Sequence, residues 1–168
     1  MIQQKPSIKE DILFLLLKIA IFLILLFVMF FWVFGITRCN DNSMDPAFKD
    51  GDLAFYYRLQ KEYNNADVVV IEKDNELQIR RIIAKAGDKV EITEDGLKIN
   101  GYLQKETNIY EETMPYVEGI SFPIEVPENE YFVLGDSRSN AKDSRIYGTV
   151  KKEEIKGGVM TLIRRRGL

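Results

Sequence analysis

The chain is 168 residues long, with a formal net charge of −3, a single cysteine and no histidine. That balance speaks against a nucleic-acid partner, whose phosphates require a basic surface. Without imidazole there is no Ser/His/Asp triad, no Cys/His dyad and no histidine-bound zinc, one cysteine builds no disulfide framework, and no motif asks for a metal or an organic cofactor.

The first element is an apolar run of 25 residues, 12–36, whose one charge is Lys18. As a helix at about 1.5 Å per residue it reaches roughly 37 Å, enough to cross a bilayer core with some tilt. A cleaved signal peptide fits less well, because its apolar core is about 7–15 residues long and a small-x-small site follows it. The expectation is an uncleaved transmembrane helix over 12–36. Lys5 and Lys9 precede it, Lys18 can snorkel toward the headgroups, and Arg38 is the only basic residue close behind. This asymmetry puts residues 1–11 in the cytoplasm and residues 37–168 outside the membrane, with Trp32 at the outer interface.

Residues 37–168 suffice for one domain of ordinary size. Short apolar runs rich in Val, Ile, Tyr and Phe fall at 53–57, 68–71, 79–83, 97–99, 131–134 and 159–163. Turn residues separate them, and Val90-Glu-Ile-Thr93, Glu94-Asp-Gly96 and Leu97-Lys-Ile-Asn100 read as a hairpin. Runs that are apolar throughout imply strands covered on both faces, so the expected fold is mainly β, an antiparallel sandwich or barrel behind one N-terminal helix. Cys39, next to the membrane, reads as incidental rather than as a lipidation site or nucleophile. Arg164-Arg165-Arg166 reads as a solvated or headgroup-facing tail.

Four segments carry the chemistry: Asn42-Ser-Met-Asp-Pro46, then Ile79-Arg-Arg-Ile-Ile-Ala-Lys-Ala-Gly-Asp88, then Tyr131-Phe-Val-Leu-Gly-Asp-Ser-Arg138, then Asp143-Ser-Arg145 with Gly148. Their order and spacing behind an anchor resemble the type I signal peptidase family, in its Gram-positive form. The resemblance covers essentially the whole outer domain, Phe48-Lys-Asp-Gly-Asp-Leu53 and Ala66-Asp-Val-Val-Val70 included. It implies a β domain on the outer membrane face, a serine that attacks the preprotein's cleavage site, and a lysine that takes the serine's proton. A hydroxyl needs such a base within hydrogen-bond reach, and lysine can serve once desolvation leaves its amine neutral.

Carried over by position, the resemblance puts Ser43 at the nucleophile, Met44 and Ile79 against the substrate, and Pro46, Arg81, Asp136, Asp143 and Arg145 in supporting roles. At the base position stands Arg80, where the family has lysine, and a guanidinium effectively never deprotonates in a protein. Ala141 stands where the family usually has the serine that steadies the lysine, and Ala86 replaces a common proline. Lys85 and Lys142 are the other lysines near these motifs, but strand alternation and neighbouring position turn them elsewhere.

The resemblance with these departures implies a catalytically impaired signal peptidase relative. It would bind an extended segment of a secreted or membrane-anchored preprotein, or of a pilin, by strand addition, as a chaperone-like factor in surface-protein or pilus assembly. Membrane lipid is the other expected contact. The alternatives are an active signal peptidase with Ser43 as nucleophile and an unforeseen base, and a subunit that steadies another membrane complex.

Overall fold

A computed structural model describes residues 8–164. Lys5 of the basic flank, and Arg165 and Arg166 of the tail, lie outside them. The first element, α1, is a helix over Ile8–Val33. Its 26 residues reach roughly 39 Å, and the rest of the chain buries none of its side chains. Among the described residues it is the one helix long and apolar enough to cross a membrane.

The helix stops three residues before the expected end at 36. Phe34–Arg38 instead forms β1, which pairs antiparallel with β2 (Leu53–Tyr57) from Phe34↔Tyr57 to Arg38↔Leu53. Gly35 is part of the reason. Glycine is a poor helix former, and a Cβ at this position would stand 2.2 Å from a ring carbon of the buried Tyr56. The neighbours Phe34, Ile36 and Thr37 favour a strand. The rings of Phe30, Phe34 and Phe55, with centroids 5.0 to 6.1 Å apart, fasten the helix end to the sheet.

The other strands are β3 (Val68–Lys73), β4 (Glu76–Lys85), β5 (Lys89–Thr93), β6 (Gly96–Ile99), β7 (Tyr102–Leu103), β8 (Ile124–Glu125), β9 (Glu130–Leu134), β10 (Val150–Lys151) and β11 (Ile155–Ile163). A one-turn helix, α2 (Ser144–Tyr147), precedes β10. Every strand pairing is antiparallel. One sheet has the order β1-β2-β11-β3-β4-β9-β10 and the other β7-β6-β5-β8. The fold is therefore mainly β behind an N-terminal apolar helix, and each of the six short apolar runs from 53–57 to 159–163 lies in a strand.

The run at 131–134 shows why it is apolar throughout. Phe132 and Leu134 pack with Val90, Ile92, Leu97 and Ile99 of the smaller sheet. Tyr131 and Val133 turn the other way, onto Val69, Ile71 and Ile82. A third cluster of Cys39, Met44, Phe48, Ala54, Tyr56, Val70 and Ile79 lies at one end of the larger sheet.

Strand β4 changes partners midway. Its residues from Glu76 to Arg81 pair with β3, and those from Arg81 to Lys85 with β9. Among the described residues, the side of 76–80 that faces away from β3 has no ladder partner. The candidate site lies along this open side.

Candidate active site

Ser43 sits in the turn that joins β1 to β2. The Cys39 N–H donates to the Asp52 carbonyl at 2.8 Å and the Gly51 N–H to the Cys39 carbonyl at 2.9 Å, closing the base of the turn. Met44 and Phe48 are buried in the third cluster. At about 1.5–3 kcal/mol for each large apolar side chain, they hold the turn down. The Ser43 carbonyl accepts from the Ser137 N–H at 3.0 Å, which ties the turn to the loop after β9. Gly135 makes this approach possible, since a Cβ there would lie 2.5 Å from that carbonyl and 2.2 Å from the Cβ of Ala141.

Arg80 lies on β4 opposite Val69, and only 1% of it is exposed. Its Nη1 donates to the Ser43 Oγ and to the Ile79 carbonyl, both at 2.6 Å. Its Nε and Nη2 donate to the Lys142 carbonyl at 3.1 and 2.8 Å. The loop that presents this carbonyl is rigidly braced. Asp143 accepts from the Gly135 N–H at 3.1 Å and from Arg145 Nε and Nη2 at 2.9 and 2.8 Å. The Arg145 guanidinium stacks 4.4 Å over the Tyr116 ring, and the Tyr116 hydroxyl donates to the Ala141 carbonyl at 3.0 Å.

A third residue joins the pair. The Ser43 hydroxyl donates to Asp41 Oδ1 at 2.6 Å, and the Ser43 N–H donates to the same oxygen at 3.0 Å. Sequence reasoning passed over Asp41, although an Asp two residues before its hydrogen-bonding partner is a familiar turn signal. The buried pair of Arg138 with Glu106, at 2.5 and 2.6 Å, was also missed. Its partners are 32 residues apart in sequence, and nothing in the motifs connects them.

The remaining expected residues divide by alternation along the strands. Arg81 points to the opposite face from Arg80 and grips Asp136 at 2.7 and 2.5 Å. Pro46, joined by a cis peptide to Asp45, lies near Asp136 and Ser137 on the outside of the turn. Met44 is wholly buried and supports the site from beneath, rather than lining open space. Ile79 packs in the same cluster and also lines the groove. Lys85 is the last residue of β4, opposite Tyr131 and away from Ser43. Lys142 turns its amine outward to Asp74 at 3.0 Å. Arg164, expected in a solvated or headgroup-facing tail, is half exposed and also lies 3.6 Å from Asp52.

Ser43 itself is closed off, with only 2% of it exposed. Open space begins at Asp41, in a groove of about 590 Å³ between residues 37–41 and 75–79. Burial pushes the Cys39 thiol up, so at neutral pH it is a neutral part of the core and not a second nucleophile. Burial also pushes the Tyr147 phenol up, against the opposing field of Arg80.

As it stands, the arrangement holds a serine hydroxyl between a permanent cation and a carboxylate. The hydroxyl receives a hydrogen bond from the group that would have to take its proton. The serine's own N–H, which serine hydrolases direct at the developing oxyanion, is spent on Asp41.

The sequence profile described as "Signal peptidase, peptidase S26" matches residues 12–163. Signal peptidase I of Bacillus licheniformis is 32% identical over 170 residues, covering 94% of this chain and 91% of that protein. Signal peptidase IB of Staphylococcus aureus (strain COL) is 30% identical over 171 residues, covering 90% and 88%. A crystal structure of a signal peptidase I from Enterococcus faecalis V583 aligns with 60% of this chain and 98% of its own, at 29% identity and a TM-score of 0.48.

Proposed function

The chain belongs to the signal peptidase family, peptidase S26, and on that footing we propose that it is a membrane-anchored member that binds exported chains without cleaving them. The observation that carries this reading is the hydrogen bond from Arg80 Nη1 to Ser43 Oγ. A general base must offer the hydroxyl a lone pair, and a guanidinium offers only donors.

The groove supports binding. Residues 76–80 of β4 present an unpaired strand side to it, and an extended segment can add there by main-chain hydrogen bonds. Exported preproteins, pilins among them, are the chains such a protein meets at the outer membrane face, where it would act as a chaperone-like factor in surface-protein assembly. In this reading residues 1–11 are cytoplasmic, α1 spans the bilayer in contact with lipid, and the β domain is extracytoplasmic.

One observation favours the rival reading of an active peptidase, namely the hydrogen bond that the Ser43 hydroxyl donates to Asp41. A carboxylate is a weak base for a serine, because it is far less basic than the alkoxide that proton removal would leave. It also blocks the Ser43 N–H, which counts against turnover.

The two readings separate in one experiment. A photo-crosslinker replaces the groove residue Leu77 in the protein embedded in lipid, and a signal-peptide-bearing pilin precursor is added. Crosslinks to an intact precursor are the expected result. A shortened precursor without crosslinks favours the enzyme.

A further inference from the structure

Among the described residues, three arginine side chains are almost wholly buried: Arg80, Arg138 and Arg145. Two of them are held by a carboxylate at hydrogen-bond distance on two nitrogens, Arg138 by Glu106 and Arg145 by Asp143. Arg80 is the exception. It bonds neutral oxygens, and its one ion pair among the described residues is a loose contact of 3.9 Å to Asp41, whose side chain is 54% exposed. A guanidinium out of water without a close anion is in an unfavourable state that a better-placed anion would relieve.

Asp41 indicates what that anion is. Its Oδ1 sits on two donors at once, the Ser43 N–H and the Ser43 hydroxyl, while its Oδ2 faces Arg80 Nη2. The donor set therefore already holds a carboxylate, at the inner end of a groove that has an unpaired strand side along one wall. Asp41 is also open to displacement, because its carboxylate is half in water and would give up two hydrogen bonds and one loose ion pair.

We propose that this corner is a receptor for the C-terminal carboxylate of an extended peptide. One carboxylate oxygen replaces Asp41 Oδ1 on the Ser43 N–H and hydroxyl, and the other pairs with Arg80, whose planar fork suits a carboxylate. The peptide's main chain runs back along residues 76–80. Asp41 acts as an internal competitor that keeps the corner filled when no chain end is present. The inference rests on the peptide-binding reading given above, and it narrows the ligand from any extended segment to a free chain end.

The test uses the full-length protein in lipid nanodiscs and a short fluorescein-labelled apolar peptide ending in Ala-Ser-Ala. The peptide is made as the free acid and as the C-terminal amide, and binding is read by anisotropy. The acid is expected to bind about tenfold more tightly than the amide, the order of a single charge-assisted contact. Asp41→Ala removes the competitor from an exposed position and should tighten the acid more than the amide, whose carbonyl can use the freed Ser43 donors but cannot pair with Arg80 as an anion. Arg80→Gln should erase the preference. Equal binding of acid and amide to both the parent and Asp41→Ala overturns the chain-end receptor but leaves the peptide-binding reading standing. Binding of neither peptide to either protein overturns both.

Discussion

Arg80 Nη1 and Ser43 Oγ stand 2.6 Å apart, donor to acceptor, in a site where the residues themselves are 1% and 2% exposed. The contact has the geometry of a nucleophile and its base, and the opposite chemistry. A neutral amine in this place would take the hydroxyl's proton, whereas a guanidinium can only donate a hydrogen bond to the oxygen.

Restoring the amine should therefore restore chemistry. General-base help is worth about 10²–10⁴-fold, so Arg80→Lys with Ala141→Ser should give cleavage that rises with pH as the new lysine loses its proton. Asp41 will oppose this, because a neighbouring carboxylate favours the charged amine. The triple variant with Asp41→Gly should cleave faster than the double and reach its plateau at lower pH. Initial rates on a fluorogenic signal-peptide substrate between pH 7 and 9 check both statements.

The loop that presents Lys142 to Arg80 depends on a buried ion pair. The Arg145 and Asp143 side chains are 2% and 0% exposed. Removing one member of such a pair strands the other, at about 3–5 kcal/mol. Asp143→Ala should lower stability by that order in a denaturant titration in detergent. Removing Lys98 from its exposed contact with Asp95 should leave the midpoint unchanged.

Much of this architecture was legible in the sequence because period and turn chemistry are local. The strand from 131 to 134 announced itself by being apolar at four consecutive positions, and β4 placed Arg80 and Arg81 on opposite faces by alternation alone. Strand β1 was hidden because Phe34, Gly35 and Ile36 continue the apolar run of the helix, and the clearance that Gly35 gives Tyr56 exists only in three dimensions. The contact of Ser43 with Arg80 came from the family resemblance. The role of Asp41 lay outside it, because the first of the four segments begins at Asn42 and the turn bond to Ser43 exists only in three dimensions.

Glu154 links β3 to the turn between β10 and β11 and supplies a pH signature. Burial acts to raise its pKa, but hydrogen bonds from Lys73 Nζ at 2.9 Å and the Lys151 N–H at 2.8 Å outweigh it and hold the carboxyl below its ordinary value. A carboxyl lowered in the folded state adds stability that is present above its unfolded pKa of about 4.3 and lost as pH falls through the lower folded value. Tm should therefore fall less between pH 5 and 3 in Glu154→Gln than in the parent. Parallel acid limbs would contradict the assignment.

Topology can be read with a single thiol. Cys39 is buried, and Cys39→Ala clears the background for cysteines placed at the exposed positions Lys9 and Lys105. In intact cells a membrane-impermeant maleimide should label the cysteine at 105, and should reach the one at 9 only after permeabilisation. The reverse pattern would invert the orientation.

The central claim meets its most direct test in the turnover of the unaltered protein. Full-length protein in lipid is incubated with a signal-peptide-bearing preprotein under single-turnover conditions, beside Ser43→Ala and a signal peptidase I such as that of Bacillus licheniformis. The expected result is cleavage about 10²–10⁴-fold slower than that enzyme, and no faster than in Ser43→Ala. Rapid cleavage by the unaltered protein that disappears in Ser43→Ala would contradict the claim, and would make Asp41, which accepts the Ser43 hydroxyl's hydrogen bond, the first residue to substitute.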